Sequence, residues 1–142
     1  MPEGDRVTSI DLAKEWEKTL AFFDQMISNG QNVRPIRFII RHIIDKGYSS
    51  MLYPGTSLYN LLISFPINNK IDYTKTLKIE CDQLRSQVKF NYRDYTGYDR
   101  QQPNSLDKAL KWKEVCQPTE VIATFEHFLN EFNSGQQKYD IV

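Results

Sequence analysis

The chain has 142 residues, and its 18 basic and 18 acidic side chains give a formal charge of zero. That balance lacks the clustered positive field that a phosphate backbone requires, which argues against nucleic acid as a partner. With 40% hydrophobic and 25% charged residues, the composition fits one folded globular domain over residues 1–142 and not a disordered chain.

Residues 1–7 read as a loose leader. Thr8 or Ser9 is placed to cap a helix, and Leu12, Trp16, Leu20, Phe23 and Ile27 then recur at helical spacing. Asn29-Gly30 ends that helix. A second helix begins near Pro35, which suits a first helical position because it has no N–H to satisfy. Ile36, Ile39, Ile40, Ile43 and Ile44 form its broad apolar stripe, and Lys46-Gly47 closes it. Pro54-Gly55 marks a turn.

Three strands are expected next. The first runs from about Leu58 to Phe65. The second places Leu77, Ile79 and Cys81 on one face, and the third places Val88, Phe90 and Tyr92 inward. Such alternation means a sheet with one buried and one wetted face. Lys78, Glu80, Lys89, Asn91 and Arg93 fall on the wetted side. A loop follows over 94–104, then a short helix with Leu106, Ala109, Leu110 and Trp112. Pro118 starts a last helix striped by Val121, Ile122, Phe125, Phe128, Leu129 and Phe132, ended by Asn133-Ser134-Gly135, with 134–142 as a loose tail. The fold expected is α+β: a three-stranded antiparallel meander with helices on its apolar face, in the order helix, helix, three strands, helix, helix.

Motifs for chemistry are few. Cys81 and Cys116 lack zinc-site spacing and read as reduced, mostly buried thiols, with a disulfide between them left open. No metal or cofactor is expected. His42 and His127 read as helix-surface or boundary histidines, and Glu126 and Glu131 as a solvated face. No GxSxG, HExxH or glycine-rich nucleotide loop is present, so no catalytic residue is assigned. Arg34, Arg37 and Arg41 share a helix face, read as solvated or as an anion patch.

The stretch Arg93-Asp94-Tyr95-Thr96-Gly97-Tyr98-Asp99-Arg100 carries the chemistry of interfaces, where tyrosine and arginine concentrate binding energy. Arg93, Asp94, Tyr95, Tyr98, Asp99 and Arg100, with Lys89 and Asn91 on the adjoining sheet face, are the expected partner-binding residues. In the alternative, the two tyrosines fold back on the sheet.

The segment LKIECDQLRSQVKFNYRDY followed by EVIATFEHFLNEF resembles small immunity proteins of bacterial polymorphic toxin systems, over roughly Leu58 to Phe132. The resemblance implies a cytoplasmic, non-enzymatic protein that binds and blocks a cognate toxin. Such proteins are often acidic, whereas this chain is neutral, which makes a nuclease target less favoured. No family residues are carried over. The start MPEGDRVTSIDL, read as no signal peptide, and the lack of any run near 20 apolar residues also point to a cytoplasmic protein without a membrane partner. The competing reading is a small-ligand protein or enzyme with a pocket between sheet and helices. Self-association through the open sheet face is a third.

Overall fold

The structure is a computed structural model that describes residues 9–65, 73–96, 101–102 and 105–140, with backbone alone for 9–11, 105–106 and 133–140. Helix α1 (Ser9–Ser28) and helix α2 (Arg34–Asp45) form where the apolar spacing places them. Gly30 and Gly47, both at positive φ, end them. Leu12, Trp16 and Phe23 bury one stripe of α1, and Ile36, Ile39, Ile40 and Ile43 bury one stripe of α2. A single turn of 3-10 helix, Tyr48–Ser50, then leads into the sheet.

The sheet corrects the expected three-stranded meander. It has five antiparallel strands in the order β1 (Tyr53–Ser57), β2 (Asn60–Ser64), β3 (Lys75–Asp82), β4 (Gln87–Asp94) and β5 (Leu110–Cys116). Two strands lie where other structure was expected, and both are edges. In β1, Pro54 and Gly55 do not make the chain reverse. The reversal comes at Leu58-Tyr59, with Leu58 at φ 58°, between the paired Ser57 and Asn60. Proline is tolerated there because an edge strand has N–H positions that need no ladder partner. In β5, the expected short helix stops after one turn, α3 (Ser105–Ala109), and LKWKEVC runs extended. Its lysines and Glu114 fit an edge that must resist pairing with other chains.

The last helix also differs from expectation. A 3-10 turn at Pro118–Glu120 precedes α4 (Val121–Asp140), which continues past Asn133-Ser134-Gly135. A glycine inside a helix costs only about 1 kcal/mol, too little to stop a helix alone. Residues 1–7 of the expected leader lie outside the described residues.

The helices pack on one sheet face, with α1 against β1, α2 against β3 and α4 against β5. Leu61, Ile63, Leu77, Ile79, Val88, Phe90 and Tyr92 meet them from the sheet in one continuous core. Cys81 and Cys116 each pair with Val88 from opposite sides. Two strand spacings, about 9–10 Å, therefore separate them, beyond the ~7 Å that a disulfide bridges. Both are free thiols. Burial pushes the Cys81 thiol up to about 11, which makes it a poor nucleophile near neutral pH. No helix among the described residues is long and apolar enough to cross a membrane.

Candidate functional site

The face of the sheet turned away from the helices holds a shallow cavity of about 230 Å³. The ladder register shows how it is built. One row across the sheet runs Leu62, Lys78, Asn91, Lys113. The row beside it runs Ser64, Thr76, Arg93. Leu62, Thr76, Lys78, Asn91 and Arg93 supply the floor and walls, and Tyr73 and Tyr95 supply the rim. The Ser64 and Thr76 hydroxyls hydrogen-bond at 2.9 Å.

Arg93 is the unusual member. The ladder between β4 and β5 slips at Tyr92/Arg93, so that Tyr92 faces Trp112 but Arg93 faces Leu110. A bulge of this kind bends a strand edge and re-aims side chains, and bulges gather near functional sites. The Nε–H of Arg93 is shut off from solvent and has no hydrogen-bond partner among the described residues. A buried, unpaired donor on a cation costs free energy unless an acceptor reaches it.

The charge around it is lopsided. Among the described residues, Lys78, Arg93 and Lys113 take part in no ion pair, whereas Lys89, one row further along, lies 3.6 Å from Asp82. Asp82 also holds Arg85, and the Arg85 backbone N–H foremost keeps its carboxyl below the usual range. Glu80, opposite Lys89, is the other acidic residue that β3 sets on this face beside Asp82.

The expected contact residues therefore divide. Asn91, Arg93 and Tyr95 come together in the cavity, with Lys78 beside them. Lys89 shares the face but is answered by Asp82. Asp94 is turned elsewhere: its Oδ1 accepts the Thr96 backbone N–H at 3.0 Å. Burial raises its carboxyl, but the hydrogen bonds from Thr96 and the charges of Lys75 and Lys111 outweigh that and hold it low. It acts as the cap of the turn that aims Tyr95. Tyr98, Asp99 and Arg100 lie outside the described residues. The arginines of α2 also separate. Arg37 Nε meets Asp24 of α1 at 2.5 Å, and Arg41 reaches Asp45 at 3.8 Å. Arg34 is exposed.

A second polar cluster went unread in the sequence. His42 of α2 contacts Glu126 of α4 through Nε2 and Oε2 at 2.6 Å. The Tyr48 hydroxyl donates to the same carboxylate at 2.9 Å. Burial first, then the Glu126 hydrogen bond and charge, raise the Tyr48 phenol. Glu126 lies 84 and 78 residues along the chain from His42 and Tyr48 and shares no motif with them, so only the folded chain brings the three together. Both carboxylate oxygens of Glu126 are engaged by Tyr48, so the cluster functions as a tie between α2 and α4. Glu126→Ala is expected to lower stability by about 1–3 kcal/mol in urea denaturation, because two half-buried polar groups lose their acceptor. A loss under about 0.5 kcal/mol would mean that water replaces the carboxylate at no cost.

No group of three or more His, Cys, Asp or Glu side chains among the described residues is placed to hold a metal ion. Comparison with known protein families, with characterised proteins and with solved structures finds no match to this chain.

Proposed function

We propose that the chain is a non-enzymatic protein-binding module whose contact surface is the open face of the sheet. The observation that carries this reading is the convergence of Asn91, Arg93, Tyr95 and Lys78 on that face, around an arginine donor left without an acceptor. A rigid five-stranded sheet, braced behind by helices, presents these side chains at fixed spacing. Tyrosine and arginine around a partly desolvated hollow are the residue types in which interfaces concentrate affinity. The bland account of Tyr95, that it only packs back on the sheet, fits its half-buried state but not the unanswered cations beside it.

Within this reading, the inhibitor function implied by the resemblance to toxin-immunity proteins is the specific form favoured. The β3–β4 hairpin followed by a closing amphipathic helix supports it, as does the lack of a recognisable catalytic motif. The competing ligand-binding reading asked for a pocket between sheet and helices. The cavity described above lies instead on the opposite face of the sheet.

The test is capture of a stoichiometric partner by the tagged chain from its native cells, followed by affinity measurement with face variants. Tyr95→Ala and Lys78→Glu are each expected to weaken that partner by about 1–3 kcal/mol while the melting temperature stays within a degree or so of wild type. A partner that ignores every substitution on this face overturns the assignment of the surface. Equal losses of stability and affinity would show that Tyr95 is a packing residue.

A further inference from the structure

We infer that the hollow around Arg93 is a socket for a carboxylate side chain, so that the partner meets this face with an aspartate or glutamate from an acidic segment. The inference rests on the protein-binding reading above and names the chemistry that the surface selects.

The argument begins with what Arg93 lacks. Its Nε–H is closed to water and has no acceptor, and no described carboxylate forms an ion pair with its guanidinium. The nearest acid along the chain, Asp94, is committed to the Thr96 turn. A guanidinium presents Nε–H and a neighbouring Nη–H as parallel donors, matched in spacing to the two oxygens of a carboxylate. A carboxylate arriving in the cavity neutralises the charge, and a rotation of the Arg93 side chain that turns its shielded Nε–H toward the cavity lets the same carboxylate satisfy the orphan donor. The surroundings reinforce this. Lys78 lies diagonally across from Arg93, because it pairs with Asn91 two residues earlier on β4. Asn91 offers an amide donor between Lys78 and Lys113. Tyr95 at the rim supplies an apolar wall that lowers the local dielectric and strengthens the pair.

Charge complementarity also excludes alternatives. A basic or neutral apolar partner would leave the orphan donor buried and unanswered. A second copy of the same face would bring the same surplus of cations, Lys78, Arg93 and Lys113, with Glu80 as the one acid of β3 on that face outside an ion pair among the described residues. The formal neutrality of the whole chain makes this local imbalance a feature of one face and not of composition.

The test uses the full chain, labelled with ¹⁵N, and two blocked amino acids as probes: N-acetyl-glutamate methylamide and its glutamine counterpart. The glutamate compound is expected to shift the Arg93 Nε–H resonance and the amides of Asn91 and Lys78 saturably, and the glutamine compound is not. Arg93→Gln is expected to weaken glutamate binding about tenfold or more. Arg93→Lys, which keeps the charge but not the paired donors, is the second variant should the first fail to fold, and is expected to lose binding as well. Equal response to the two probes, or an Arg93 variant that binds as wild type, overturns the inference. Inorganic phosphate that binds this site more tightly than the glutamate probe also overturns it, in favour of a phosphate ligand. Failure of the two readings can be told apart. A captured partner that needs Tyr95 but not Arg93 keeps the protein-binding reading and sinks the carboxylate socket. A site that binds the glutamate probe in a chain with no protein partner sustains the socket and sinks the binding-module reading.

Discussion

Phe128→Ala is expected to lower the free energy of unfolding by about 3–5 kcal/mol, enough to leave a marginal fold largely unfolded at physiological temperature. Phe128 is 0% exposed. Its ring stands 5.0 Å from Tyr92, 5.3 Å from Trp112, 5.3 Å from Phe132 and 6.0 Å from Phe65, centroid to centroid. Those neighbours belong to β4, β5, α4 and the residue that follows β2, so one ring joins the last helix to three parts of the sheet layer. Deleting it removes the transfer energy of an aromatic side chain and leaves a cavity that four large rings cannot collapse to fill. Aromatic pairs add about 0.5–1.5 kcal/mol each beyond area burial, which places the effect toward the upper end. Urea denaturation measures it directly, and Phe128→Leu, which refills most of the space, is expected to cost about half as much. A loss below about 1.5 kcal/mol for the alanine variant would mean that α4 is loosely seated and that β5 is held by its ladder alone.

The parts of the fold that were legible in the sequence are those with a long, clean period. The stripes of α1 and α2 and the alternation of β3 and β4 each repeat over three or more apolar positions, and each lies on the core side. The edge strands were not legible, for a physical reason. A strand at an edge loses half of its pairing and, in β5, most of its burial. Trp112 is packed against the core, but Lys111, Lys113, Glu114 and Val115 are exposed. A pattern anchored at Trp112 and Cys116, four residues apart, reads equally well as a helix turn. In β1, Pro54-Gly55 carries the composition of a turn, and only pairing with β2 overrides it. The Lys-Trp-Lys alternation in β5 was the one signal that separated strand from helix there.

The candidate site shows the same division. That Lys78, Asn91 and Arg93 share a face follows from period-2 alternation alone, and Tyr95 was expected near them. That Asp94 points away from Arg93 follows from the same alternation once β4 extends to it, whereas its bond to the Thr96 N–H depends on the turn. The orphaned donor of Arg93 could not follow, since it needs the slipped register opposite Leu110. The His42–Tyr48–Glu126 cluster depends on helix packing and left no local trace.

Trp16→Ala is expected to match Phe128→Ala in cost, about 3–5 kcal/mol, but its more informative companion is Trp16→Phe. Trp16 is fully buried, and its indole N–H donates to the Leu52 carbonyl at 2.8 Å. Leu52 immediately precedes β1, the strand with the weakest sequence signature. Phenylalanine retains most of the apolar volume but cannot donate, so the Leu52 carbonyl is left buried without that partner. The expected cost is about 1–3 kcal/mol. The distribution of that cost distinguishes two accounts of how β1 is held. If the indole fixes the entry of β1 from α1, amide hydrogen exchange in Trp16→Phe accelerates in β1 well beyond the change in β3 and β4. If pairing with β2 alone holds the strand, exchange rises uniformly with the loss of global stability. The packing of α1 against β1 favours the first outcome. An edge strand that contains proline and glycine brings little stabilisation of its own, and here the helix behind it supplies both the apolar cover and the hydrogen bond.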